Sequence, residues 1–234
     1  MTNPPFIHQL LSRPMTGPDI EARSFEIIDA EAPHRCGFSP SQWEIVRRLI
    51  HTTGDLELAA LVRFSADALD SGIAALRLGA AIYADSNMIR SGLSLARLRS
   101  VNGCYAPDRI ACHVADADVA QQALNGGLPR SLYAIRKAKS QLEGGIVVFG
   151  NAPVALLELN RMIVEEGIRP ALVIGMPVGF VHVVESKEEL ATLGVPFIGI
   201  EGRRGGSTLA VATLHAICTL ATRFSKEIEG GEIR

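Results

Sequence analysis

Two groups of residues in this chain have the types and spacing to do chemistry. Glu44, Arg47, Arg48 and His51 lie three and four residues apart, which puts them on one face of a helix with His51 in its last turn. A helix carboxyl end favours imidazolium while two neighbouring arginines oppose it, and such opposed influences can leave an imidazole titrating near neutrality, fit to move a proton. The same position suits a surface histidine that caps the helix, and position alone does not decide between them. The second group is a set of Gly-rich loops: Gly150-Asn151-Ala152-Pro153, Gly175-Met176-Pro177-Val178-Gly179-Phe180, and Glu201-Gly202-Arg203-Arg204-Gly205-Gly206-Ser207. The last sets two arginines and free backbone N–H groups at a helix start, a ready site for carboxylate or phosphate. Each loop alone reads as an ordinary turn; together on one rim they imply a crevice for an anionic ligand.

The elements that must position these residues are legible around residues 144–187. Ile146 to Phe149 is a short apolar run rich in β-branched residues, and Gly150 to Pro153 turns the chain into a helix with Pro153 in its first turn. The apolar line Val154, Leu157, Ile163, Val164 is that helix's expected buried face, and Gly167 and Pro170 end it. Ala171 to Ile174 reads as the next strand, followed by the Gly175 to Phe180 loop. In a parallel sheet with crossover helices these carboxyl ends open on one edge, where small-molecule sites are built.

Further strands are expected at 79–84, 109–114 and 195–200, about five in all, with loops at Asp85, Ala115, Gly150, Gly175 and Gly202. Capping boxes at Thr16-Gly17-Pro18-Asp19 and Ser39-Pro40-Ser41-Gln42 open two early helices. The first runs to about Glu31 with Ile20, Ser24, Ile27 and Ile28 inward, where the Ser24 hydroxyl can bond back to the Ile20 carbonyl. The second buries Trp43, Val46, Leu49 and Ile50 and ends near Gly54. Residues 55–78 read as one or two helices. Asn87 to Ser100, with Arg90, Arg97 and Arg99, reads as a solvated face. Two helices follow at 118–125 and 129–142, and a short one at 186–193. The expectation is therefore a single three-layer α/β domain over 16–224, its mainly parallel sheet flanked by helices, between a loose arm at 1–15 and a tail at 225–234.

Composition narrows the function. With 23 Lys and Arg against 25 Asp and Glu, the net charge of -2 excludes a basic nucleic-acid surface, and one Trp, three Tyr and eight Phe give little for base stacking. Cys36, Cys104, Cys112 and Cys218 stand far apart and form neither a zinc knuckle nor a disulfide frame; reduced core thiols are expected. The N-terminus lacks a secretory apolar region, and Thr208, Thr213, His215 and Thr219 interrupt the most apolar stretch, 207–224, so a buried helix and a cytoplasmic protein with no membrane span are expected. Nucleotide, P-loop, zinc-hydrolase and serine-esterase motifs are absent. A binder, or an enzyme without cofactor or metal, remains.

Ile20-Glu21 with Ser24-Phe25-Glu26-Ile27-Ile28, the run RRLIHTTGD, GNAPVALLEL, GMPVGFVHVVESK and GRRGGSTLAVATLHA together resemble the precorrin-8 methylmutase family of cobalamin biosynthesis, over about residues 18–220. The resemblance implies a three-layer α/β fold, usually a homodimer, and an isomerase that moves a methyl group from C-11 to C-12 of a corrin precursor, with or without cobalt, to give hydrogenobyrinate or its cobalt counterpart. It implies no cofactor and a carboxylate-rich tetrapyrrole substrate, which suits the arginines and N–H groups of the loops. The family's proton-transfer histidine falls on His51, with Arg48 beside it. Ser24, Ser94 (a threonine in many relatives) and Arg130 fall on substrate-contacting positions. With the loop residues Gly150, Asn151, Gly175, Gly179, Arg203, Gly205 and Gly206 these make up the expected site. A non-catalytic corrinoid carrier, holding or handing over its tetrapyrrole between pathway enzymes, is the alternative the same motifs allow.

Overall fold

A computed structural model describes residues 5–32 and 37–231, with side chains described up to Arg223. In chain order the elements are α1 (Ile7–Ser12), α2 (Gly17–Glu31), α3 (Pro40–Thr53), a 3-10 turn (Leu56–Leu61), β1 (Val62–Phe64), α4 (Ala68–Arg77), β2 (Ile82–Ala84), α5 (Asn87–Gly92), α6 (Leu95–Val101), a second 3-10 turn (Pro107–Arg109) and β3 (Ile110–Ala111). They continue with α7 (Ala117–Gly126), α8 (Arg130–Lys137), α9 (Lys139–Leu142), β4 (Ile146–Phe149), α10 (Pro153–Glu166), β5 (Leu172–Gly175), α11 (Val183–Thr192), β6 (Phe197–Ile200) and α12 (Ser207–Gly231).

The strands form one sheet in the order β1-β6-β5-β4-β2-β3. All neighbours are parallel except β1, which runs antiparallel to β6 in the register Val62 opposite Ile200. The three-layer α/β expectation holds, with six strands instead of about five. The extra strand, Val-Arg-Phe, lies where helix was expected; three residues with an arginine at the centre carry no alternation to read, and pairing with β6 makes the strand. Alternate residues of the central strands feed two cores. Ile82, Ile146, Val148, Leu172, Ile174 and Ile198 face α3, α4, α6 and α12. Tyr83, Val147, Phe149 and Val173 face the other layer, with Ile135 of α8 and Leu156 and Leu159 of α10.

Local corrections follow from tertiary packing. Residues 7–12, expected as loose arm, form α1, which buries none of its residues. In α2 the face turned toward the protein is Glu21, Ser24, Phe25 and Ile28, whereas Ile20 and Ile27 are 47% and 43% exposed. In α10 the buried line is Leu156, Leu159 and Ile163, and Val164 is exposed. Residues 87–100, expected as one solvated face, fall in two short helices that bury Ile89 and Leu98. Cys112 and Cys218 are buried and free as expected; Cys104 is exposed, and Cys36 lies outside the described residues. Among the described residues no helix is long and apolar enough to cross a membrane.

At the carboxyl edge of the sheet the loops are tied by one buried side chain. Asp85, directly after β2 and 2% exposed, accepts at Oδ2 the backbone N–H groups of Gly150 (3.2 Å), Asn151 (2.8 Å) and Ala152 (2.7 Å). Burial raises its pKa while these N–H bonds and Ser86 pull it back. Ser86 Oγ caps α5 and lies 3.2 Å from Ser207 Oγ in the first turn of α12. Asp85 therefore holds the start of α10, and its neighbour Ser86 joins α5 to α12. A Cβ on Gly150 would stand 2.6 Å from Ser207 Cα and 2.7 Å from its N, so only glycine lets the β4 loop and α12 meet.

Each buried N–H left without an acceptor costs about 1–3 kcal/mol. Asp85→Ala, which orphans the β4-loop amides, is expected to lower unfolding free energy by about 3 kcal/mol or more, and Asp85→Asn by less, because its amide oxygen still accepts. Urea denaturation of both variants tests this; an alanine variant as stable as the parent would remove Asp85 as the tie.

Candidate active site

The expected site residues separate into two neighbouring groups and one outlier. The first group surrounds Phe25 of α2. The Arg47 and Arg48 guanidinium carbons stand 4.4 and 4.7 Å from its ring centroid, and the His51 ring meets it edge-on at 5.4 Å. Arg48 also donates to Glu21, and that hydrogen bond holds the Glu21 carboxyl below the usual carboxylate range, with Arg48, His51 and Arg97 adding to the effect by charge. Arg47 is turned the other way, bonded to Asp29 at 2.7 Å beside Trp43 Nε1, which donates to the same carboxylate at 2.7 Å. Arg48 and His51 thus meet the same Phe25 ring, and His51 is exposed in the last turn of α3, as the spacing implied.

Ser24 sits on the same inward face of α2, its hydroxyl donating to the Ile20 carbonyl at 2.9 Å. This is the local bond expected of a serine within a helix, and it leaves the oxygen's lone pairs to accept. Ser94 caps α6 by accepting the Arg97 N–H at 3.3 Å, and its own backbone N–H donates to His215 Nε2 of α12 at 2.9 Å. Burial, then the charges of Arg97 and Arg48, press the His215 pKa down to about 4, so this ring is neutral near pH 7. Arg97 of α6 and Arg48 of α3 thus both act by charge on His215 of α12.

The loops form the second group and lie where the parallel topology predicts. They are closed on one another through backbone contacts: Gly206 N–H donates to the Met176 carbonyl (2.9 Å) and Gly179 N–H to the Arg203 carbonyl (3.3 Å). Lys187, buried in α11, donates from Nζ to the carbonyls of Gly202 (2.9 Å) and Arg204 (2.7 Å), and burial lowers its pKa to about 8. The amides of Gly150 and Asn151, expected as an open anion nest, already point at Asp85. Gly175 is buried within β5. Gly205 and Gly206 line the start of α12, and Arg203 is the exposed cation, its guanidinium carbon 5.3 Å from the exposed Phe180 ring.

Arg204 joins the groups by bonding Asp55 at 2.7 Å, just past the end of α3. A cavity of about 370 Å³ runs along this seam, lined by Thr53, Asp55, Val178, Phe180, Arg203 and Gly205 among others. Arg223 reaches Glu44 near the opposite end of α3, so α3 and α12 run antiparallel and the carboxyl end of α3, with His51, borders the loop edge. Arg130 is the outlier: it is exposed at the start of α8, on the opposite layer from α3. Among the described residues no group of three His, Cys, Asp or Glu side chains could hold a metal ion.

The arrangement can do two things: present cations and N–H donors to an acidic molecule, and exchange a proton at His51. Phe25, Glu21, Asp85 and His215 escaped the residue-by-residue reading. Glu21 and Phe25 stood inside a recognised run, but His215 showed only as a polar break in an apolar helix.

Comparison with known proteins finds relatives over most of the chain. The chain is 44% identical over 216 residues to cobalt-precorrin-8 methylmutase of Leptospira interrogans, covering 88% of this chain and 95% of the relative. It is 40% identical over 205 residues to precorrin-8X methylmutase of Pseudomonas aeruginosa, covering 87% and 95%. The solved precorrin-8X methylmutase of Thermus thermophilus superposes with a TM-score of 0.80 at 46% identity, covering 89% of this chain and 98% of that one. The family model for precorrin-8X methylmutase matches residues 19–220, from the first turn of α2 to the middle of α12, and the chain belongs to that family.

Proposed function

We propose that this protein is the isomerase that moves a methyl group from C-11 to C-12 of precorrin-8, or of its cobalt form, with His51 as the proton donor and acceptor. The observation that carries the role of His51 is its setting: an exposed imidazole at the end of α3, braced edge-on by Phe25 and flanked by Arg48. Substrate and product are isomers, so a proton lent to a ring nitrogen as the methyl migrates must return to the imidazole once the new C–C bond has formed. Protonation draws electron density away from the carbon that receives the methyl, which is where such catalysis lowers the barrier.

Binding falls to the surrounding cations. Arg48 and Arg97 on one side and Arg203 on the other suit the peripheral carboxylates of a tetrapyrrole, with Ser24 and Ser94 offering hydroxyls. The internal bonds of the Gly-rich loops make that wall rigid before the ligand arrives, so Gly205, Gly206 and Gly179 serve by shape, and the side chains of Asn151 and Arg203 by contact. Arg130, on the far layer, would join a site from a second copy of the chain, consistent with a homodimer. Such a protein would work in the cytoplasm and release its corrin product to the next enzyme, by hand-over or free diffusion. The arm before α2 and the residues after 224 are proposed to lie outside the catalytic domain.

Anaerobic incubation with precorrin-8, with and without cobalt, followed by the visible spectrum of the corrin product, tests the activity; binding without conversion of either form would favour a carrier. His51→Ala is expected to bind substrate but to lose about a hundred- to ten-thousand-fold in kcat, the usual scale of general acid–base catalysis. Unchanged turnover would remove its role. Arg48→Ala should raise KM about tenfold at low salt, the worth of one charge-assisted hydrogen bond, with kcat little changed. Sedimentation at micromolar concentration is expected to give a dimer, and a monomer there would contradict the shared site.

A further inference from the structure

The structure gives His215 a specific attachment to the site that the reaction scheme leaves without a task. The residue lies within α12, 121 positions from Ser94, yet its Nε2 is 2.9 Å from the Ser94 backbone nitrogen. A backbone amide only donates, so Nε2 carries no proton and the neutral ring keeps its hydrogen on Nδ1. The cationic form would set an N–H against an N–H and break the contact. Burial disfavours that form most, and the charges of Arg97 from α6 and Arg48 from α3 add to it. The Glu21 carboxylate of α2 is bonded to Arg48.

The bond lands on a bend with leverage. Ser94 ends the turn between α5 and α6 in an extended conformation (φ -78°, ψ 110°), and its Oγ caps α6 through the Arg97 N–H. α6 is seven residues long, too short to fix its own start, so the direction of the Ser94 hydroxyl and of the Arg97 side chain follows from where this backbone is pinned. A flanking tie is apolar: a Cβ on Gly92 would stand 3.0 Å from Val211 of α12, so glycine lets the end of α5 lie against that helix one turn before His215.

We propose that His215 is a positioning residue for the methyl transfer: its imidazole pins the Ser94 backbone to α12 and thereby holds the Ser94 hydroxyl and the Arg97 guanidinium toward the bound tetrapyrrole. This rests on the functional reading above, in which the Ser94 side of the cluster meets substrate.

Two near-isosteric variants separate the pinning atom from the rest of the ring. The His215→Gln amide reaches the Nε2 position and can accept the Ser94 N–H, whereas the shorter His215→Asn amide occupies the Nδ1 position and cannot. His215→Asn is expected to raise KM about tenfold, the scale of one hydrogen bond, with kcat within about threefold of the parent, and His215→Gln to restore KM to within about twofold. Hydrogen exchange at the Ser94 amide should be slow in the parent and in His215→Gln and faster in His215→Asn. The proposal is overturned if both variants match the parent, if both fail alike, if Ser94 exchange does not change, or if the asparagine variant is the active one, which would make Nδ1 a direct donor to substrate. Failure of the parent to convert precorrin-8 with or without cobalt would instead bring down the underlying functional reading, and this role with it.

Discussion

The carboxylate of Asp85 is the interaction on which the working edge of this protein depends. A buried charge is costly unless hydrogen bonds surround it, and here successive backbone amides at the head of α10 supply them. The cost is set against a geometric gain. Strand β2 is locked to the turn after β4, and the adjacent Ser86–Ser207 contact carries the tie to α12. Helix amino ends carry partial positive charge, and converging ones repel unless an anion lies among them. In this fold the anion at α10 is a residue of the chain itself.

That substitution of an internal carboxylate for an external one changes how the Gly-rich edge is read. The turns are abundant in glycine because backbones cross there at contact distance, as at Gly150 over Ser207, and less because amides wait for a ligand. The cationic face lies beside them, on α3, α6 and the Arg203 loop, where side chains supply the donors. Stiffness comes from the sheet edge, and the exposed cations are carried by the elements around it. The Lys187 amine serves the first task, holding two carbonyls of the α12 loop from inside α11.

Much of this was legible in the sequence, for physical reasons that also mark where legibility ends. Ile146–Phe149 and Leu172–Gly175 read as strands because burial on both faces leaves an unbroken apolar run. Both early helices announce themselves through capping boxes that the structure contains. The edge strand Val62–Phe64 could not be read, since partner strand and not composition makes it. Aliphatic spacing points Ile20 and Ile27 of α2 inward, whereas the helix is oriented by Glu21 on Arg48 and Asp29 on Trp43 and Arg47. Asp85 and His215 act through partners 65 or more and 121 residues away, beyond any local pattern.

The way α2 is attached has a kinetic meaning. None of its residues is fully buried; apart from Ile28, which packs half-buried on the larger core, its grip on α3 is made of ion pairs, an indole hydrogen bond and guanidinium–ring contacts. Such contacts weaken as ionic strength rises, whereas the aliphatic packing of α12 on α3 does not. Local opening free energies range from near zero up to the global value, and a helix secured by charge falls low on that scale. Ser24 and Glu21 therefore ride on an element whose hold on the domain depends on ionic strength more than that of any helix in the core, with Ile28 as its apolar anchor.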